Sequence, residues 1–103
     1  MKIELLYFDG CPSYAELLPR LRDLLASEGV EEEVELRRID TAADAERERF
    51  LGSPTVRIDG DDVDPTAKDR DDFGLECRLY RTEAGLVRTP PDSWIRSRLA
   101  RAA

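Results

Sequence analysis

The sequence contains no histidine and only two cysteines among its 103 residues. Without an imidazole base, a hydrolase that pairs a cysteine with a histidine is excluded. Two cysteines without histidine also cannot fill the tetrahedral ligand set of a zinc site within one chain. We therefore expect neither a metal ion nor a cofactor.

Long apolar runs and an excess of basic residues are also absent. No run approaches the roughly 20 apolar residues of a membrane span, and the net charge is -7. A nucleic acid or an anionic membrane would need a concentrated basic surface, so neither is expected as a partner. The first residues lack the apolar region of a secretory signal, and we expect a cytoplasmic protein whose partners are small molecules or other proteins.

Apolar periodicity predicts alternating strands and helices. The clearest pattern is a leucine stripe over residues 14–28, which is typical of one face of a helix, with Gly29 as its stop signal. The other predicted elements are strands at 3–8, 34–39, 55–58 and 77–82, a helix at 42–50, and a last helix that begins within 89–92. The order βαβαββα predicts an α/β domain over residues 1–103 with a central mixed four-stranded sheet.

Residues 61–76 form an acidic segment without a predicted element. We treat it as a loop insertion, with Val63 and Phe73 as possible anchors. Its aspartates do not have the spacing of a calcium-binding loop, because Val63 stands where an oxygen ligand is needed. The segment is therefore predicted to be a solvated acidic loop.

The inward faces of the predicted elements define a candidate core. A single shared core is predicted for eight residues: Phe8, Leu17, Leu21, Leu24, Leu25, Val56, Trp94 and Leu99.

Three local features stand at defined places in the predicted order of elements. Cys11-Pro12 stands between the first strand and the first helix, Pro19 lies inside that helix, and Gly52-Ser53-Pro54-Thr55 opens the third strand. Together these features resemble the thioredoxin-like superfamily. The chain is also similar to small bacterial thioredoxin-like proteins of unassigned role, some of which carry labels linked to organomercury chemistry. The resemblance implies a thioredoxin-like fold, a nucleophilic Cys11, and a cis Ser53-Pro54 bond that presents the backbone of Ser53 to a substrate.

The chain departs from that family where the second cysteine of the dithiol motif would stand, because residue 14 is tyrosine. Tyr14 is expected to cover the thiol, to offer its hydroxyl to the thiol as a donor, or to pack on the sheet edge, and Ser13 is expected to donate within the first helical turn. The predicted substrate-binding residues around the thiol are Pro12, Ser13, Tyr14, Ser53 and Pro54.

Cys11 is predicted to lie at a helix N-terminus, where unpaired N–H groups and the helix dipole stabilise a thiolate. The nearby Asp9 opposes this effect. Cys77 begins a predicted strand that runs antiparallel to the third strand, so we expect it about five residues away from Cys11, too far for a disulfide. Alternatively, the residues between Gly60 and Cys77 carry the chain back across the sheet, which would make Cys77 the resolving thiol.

These features favour a thiol-based redox protein. Cys11 would attack a disulfide, a glutathionyl group or a sulfenic acid, and a second thiol would resolve the mixed disulfide. That second thiol would come from Cys77, from a small-molecule thiol or from a protein partner. The alternatives are a non-catalytic binding module with the same fold, and capture of a soft metal or an organomercurial by thiolates.

Overall fold

A computed structural model describes residues 1–102 and shows a mixed α/β architecture. The main sheet contains four strands: β1 (Ile3–Tyr7), β2 (Val34–Arg38), β3 (Thr55–Ile58) and β4 (Asp61–Asp62). A separate hairpin contains β5 (Tyr80–Thr82) and β6 (Gly85–Val87). The helices are α1 (Ser13–Ser27), α2 (Ala42–Arg47) and α3 (Asp92–Ala102), and a short 3₁₀ turn spans Ala67–Asp69.

The strand order of the main sheet is β2-β1-β3-β4. Strand β1 is parallel to β2 and antiparallel to β3, and β3 is antiparallel to β4. Leu6 of β1 is opposite Thr55 of β3. The carboxyl end of β1 therefore lies beside the amino end of β3, and the loop after β1 meets the segment before β3 at one edge of the sheet.

The predicted four-stranded mixed sheet is confirmed, but the prediction of its fourth strand was wrong. Asp59 and Gly60 both have positive φ, as a two-residue hairpin turn requires, and the chain reverses at once so that Asp61–Asp62 pairs with the end of β3. The position beside β3 is thus filled before the chain reaches residue 77. Of the predicted strand 77–82, only residues 80–82 lie in a β-strand, and they pair with β6 outside the main sheet.

The acidic segment is more ordered than its composition predicts. It contains β4 and the 3₁₀ turn, and Val63 is buried in the core, which confirms one of the two proposed anchors. The other, Phe73, is half-buried, and the guanidinium of Arg49 lies 5.0 Å from the centre of its ring.

Side chains on the two faces of the sheet pack into separate clusters. Six of the eight predicted core residues share one cluster between the sheet, α1 and α3: Leu17, Leu21, Leu24, Leu25, Val56 and Leu99. The prediction was wrong for Phe8, which packs with Leu6 on the opposite face because alternate residues along an extended chain point to the same side. It was also wrong for Trp94, which is half-buried and lies edge-on against Tyr80.

Within residues 1–102, none of the helices has the length and apolar character needed to cross a membrane.

Candidate thiol site

Cys11 lies in the loop that joins β1 to α1. Its backbone N–H donates to the carbonyl of Phe8 at 3.5 Å, Pro12 directly precedes the helix, and Ser13 is the first helical residue. Only 1% of the surface of Cys11 is exposed. The predicted position at the amino end of α1 is confirmed, but the thiol is enclosed rather than presented to solvent.

The segment before β3 meets this loop at the same sheet edge. The Ser53-Pro54 peptide bond is cis, as expected from the resemblance. The hydroxyl of Thr55 donates to the carbonyl of Gly52 at 2.7 Å, and the Sγ of Cys11 lies 3.5 Å from the carbonyl oxygen of Ser53. In its thiol form Cys11 therefore donates to Ser53.

The second cysteine lies beside the first. Ser53 donates its N–H to Glu76, and its carbonyl accepts from the N–H of Arg78, both at 2.8 Å. This parallel pairing places the Sγ of Cys77 3.0 Å from the Sγ of Cys11. The expected separation of the two cysteines was wrong, because residues 76–78 lie in the chain that returns across the sheet and strand β5 starts only afterwards.

Gly52 makes the close approach of these segments possible. A Cβ at position 52 would lie 2.9 Å from the carbonyl oxygen of Glu76 and 3.0 Å from the Cβ of Arg78. Its φ of +123° is a conformation that residues with side chains rarely adopt. Glycine therefore satisfies both the backbone conformation and the space needed for the paired segment.

A buried ion-pair network fixes the chain immediately after Cys77. The side chain of Arg78 is 1% exposed, and its guanidinium donates to Asp62, to Asp64 and to the hydroxyl of Thr55. The same guanidinium lies 4.4 Å from the centre of the Tyr80 ring. Arg78 thus ties the Cys77 segment to β3 and to β4.

Tyr80, two residues after Arg78, is hydrogen-bonded to the cis proline. Its hydroxyl donates to the carbonyl of Pro54, and the residue is fully buried. Burial raises the pKa of Tyr80 far above its ordinary value, so the phenol remains a hydrogen-bond donor.

The surroundings of Cys11 favour its thiolate. Burial raises the pKa of the thiol, but hydrogen bonds from the Cys77 thiol and from the backbone N–H and hydroxyl of Ser13 together lower it below its ordinary value. The pKa of Cys77 is raised, first by its hydrogen bond to Cys11 and then by burial. The Asp9 carboxylate, which we expected to oppose the thiolate, is 81% exposed. Cys11 therefore ionises before Cys77.

Removing the Cys77 donor should raise the pKa of Cys11. We expect a higher pKa in Cys77→Ala than in wild type, and a smaller rise in Cys77→Ser, because a hydroxyl still donates. Thiolate absorbance in the far ultraviolet measured against pH reports this value, with a double variant that lacks both cysteines, Cys11→Ser with Cys77→Ala, as the blank. An unchanged pKa in Cys77→Ala would contradict the hydrogen-bond assignment.

The predicted substrate-binding residues do not form an open surface. Pro12 is exposed, but Ser13, Ser53 and Pro54 are buried. Tyr14 packs on the core and stacks on Tyr7 with ring centres 4.1 Å apart, which is the packing role rather than a cover over the thiol. The backbone of Ser53, expected to meet a substrate, is already paired with residues 76–78 of the same chain.

Three residues of the site were not predicted: Gly52, Arg78 and Tyr80. A glycine directly before Ser53-Pro54 was a signal of close backbone approach. Arg78 follows a strongly acidic segment, and an arginine beside an apolar pattern was a weak signal for a buried partner of those carboxylates.

A cavity of about 640 Å³ lies away from the cysteines. Its walls carry charges of both signs, including Arg57, Lys68, Asp61 and Arg98, and neither cysteine lines it. Since the cavity shows no convergent chemistry, the paired thiols are the stronger candidate site.

Comparisons of the chain with protein-family models, with curated proteins and with solved structures find no match.

Proposed function

We propose that this protein is a thiol-based redox protein in which Cys11 and Cys77 form one reversible disulfide within a thioredoxin-like domain. The observation that carries the proposal is the 3.0 Å contact between the two sulfurs. A thiolate and a thiol in contact form a disulfide when an acceptor removes two electrons. Cys77, 66 positions away from Cys11, thereby supplies the second thiol that the dithiol motif would place at position 14.

The thioredoxin-like part of the proposal is supported by the arrangement around the thiols. The strand order β2-β1-β3-β4, the cysteine at the amino end of α1 and the cis proline before β3 agree with the features that the resemblance implies. The separate β5-β6 hairpin is a departure from the predicted order.

The reaction is an exchange with a small-molecule or protein disulfide. The two protein thiols give up two electrons and two protons, the acceptor disulfide is reduced to two thiols, and the Cys11-Cys77 bond forms. Glutathione disulfide is a suitable acceptor, and the proposal places the exchange in the cytoplasm.

The test is a redox titration of the reduced protein in glutathione buffers of increasing oxidation. We expect one two-electron transition, and mass spectrometry should find an intramolecular Cys11-Cys77 disulfide as the dominant oxidised product. Cys11→Ser and Cys77→Ser are the matched controls and should form only mixed or intermolecular disulfides. A wild-type protein that stays reduced across the titration would refute the redox proposal and favour a non-catalytic binding module.

Capture of a soft metal or an organomercurial remains the alternative, because two sulfurs do face each other. Linear coordination between two thiolates would need them about 4.6 Å apart, twice a typical metal–sulfur bond of about 2.3 Å. Within residues 1–102 no third cysteine or carboxylate completes a cluster around the pair. The shorter contact observed here favours disulfide formation over metal capture.

A further inference from the structure

The two sulfurs of the pair differ in their access to solvent. Cys11 is 1% exposed, and Ser13 and Ser53, which contact its sulfur, are buried as well. Cys77 is exposed. In thiol-disulfide exchange the attacking thiolate must reach one sulfur of the disulfide, and the other sulfur leaves. The more accessible sulfur is therefore the one that is attacked.

Cys77 is also held firmly in front of Cys11. The residues on either side of it are both hydrogen-bonded to Ser53, and Arg78 is locked in its buried ion pairs. Moving the Cys77 segment away to uncover Cys11 would break these contacts together. In the folded protein an external molecule can therefore contact the sulfur of Cys77 but not that of Cys11.

The environments of the two sulfurs suit different roles in the exchange. The sulfur that leaves from a disulfide departs faster when its thiolate is more stable. When Cys77 carries the external sulfur it has no thiol proton to donate, but the backbone N–H and the hydroxyl of Ser13 still donate to the departing Cys11 thiolate. Cys11 is therefore the better leaving sulfur.

We infer that external thiols react at Cys77 and that Cys11 is the internal sulfur, the reverse of the roles expected from the sequence. This inference rests on the proposed function. In the oxidised protein an external thiolate attacks the Sγ of Cys77, a mixed disulfide forms there, and the Cys11-Cys77 bond breaks to release the Cys11 thiolate. A second external thiolate then attacks the external sulfur of the mixed disulfide, giving an external disulfide and a Cys77 thiolate that takes up a proton.

The same roles apply when the protein is oxidised, because the path is reversible. A mixed disulfide at Cys77 is resolved from inside by the Cys11 thiolate, which expels the external thiolate and closes the Cys11-Cys77 bond. The exposed cysteine thus determines which molecules react, and the buried cysteine drives closure of the disulfide.

The first experiment uses the oxidised wild-type protein. It is mixed with a small amount of glutathione, quenched in acid after a short time, blocked with a maleimide and mapped by peptide mass spectrometry. We expect glutathione on Cys77 and maleimide on Cys11 in about tenfold excess over the opposite pattern. Glutathione found on Cys11 in equal or greater amount would overturn the inference while leaving the redox proposal intact. A protein that cannot be oxidised would instead refute the proposed function.

The second experiment compares the single-cysteine variants Cys11→Ser and Cys77→Ser, both checked for folding by circular dichroism. At a pH where both thiols are ionised, a bulky aromatic disulfide should react with Cys11→Ser about tenfold faster than with Cys77→Ser. A small methyl thiosulfonate reagent is the control and should show a smaller difference, since it needs less access. Equal rates with the bulky reagent would overturn the assignment of Cys77.

Discussion

Replacing Arg78 with methionine is expected to lower the free energy of unfolding by about 3–5 kcal/mol. Methionine keeps most of the apolar volume but leaves the carboxylates of Asp62 and Asp64 without their buried cation, and Thr55 loses a donor. The side chains of these aspartates are only 13% and 6% exposed, so water compensates little of the loss.

Urea unfolding of the reduced protein measures this effect. The matched control is Arg81→Met, since Arg81 is an exposed arginine three residues further along the chain, and it should change stability by less than about 0.5 kcal/mol. The disulfide of Arg78→Met should also close more slowly than that of wild type. If Arg78→Met were as stable as Arg81→Met, the buried network would not be what fixes the Cys77 segment.

Replacing Gly52 with alanine should lower the free energy of unfolding by about 2–4 kcal/mol and slow formation of the Cys11-Cys77 disulfide about tenfold. The new Cβ would lie 2.9 Å from the Glu76 carbonyl oxygen, an atom of the backbone that cannot rotate away. Relief of the clash requires the paired segments to move apart, and the Cys77 sulfur moves with its segment.

Gly60→Ala separates this clash from backbone strain. Gly60 also has positive φ, at +86°, but nothing lies within 4 Å of the position of its Cβ. The free energy of unfolding of Gly60→Ala should fall by only about 1 kcal/mol, and its disulfide should form at the wild-type rate. Stopped-flow oxidation and urea unfolding of both variants give the comparison. Equal closure rates in the two variants would contradict the role of Gly52 in bringing the cysteines together.

Local patterns were sufficient for much of the site. The apolar run of β1 and the leucine stripe of α1 predicted where Cys11 lies, whereas the cis Ser53-Pro54 bond was expected only from the resemblance to the thioredoxin-like superfamily. Such features depend on neighbours within a few residues, and their periodicity and turn chemistry are readable along the chain. The pattern at residues 77–82, in contrast, was too short to show where the strand begins or which strand it pairs with.

The sequence by itself determined the alternation of strands and helices, the leucine face of α1 and the position of Cys11 between β1 and that helix. Only the tertiary structure decided that Cys77 contacts Cys11 and that Cys11 is enclosed while Cys77 is exposed. The physical reason is that these outcomes depend on the tight turn at Asp59-Gly60 and on the return of the chain past Gly52. Contacts between residues 66 positions apart are set by the path of the whole chain, which periodicity cannot report.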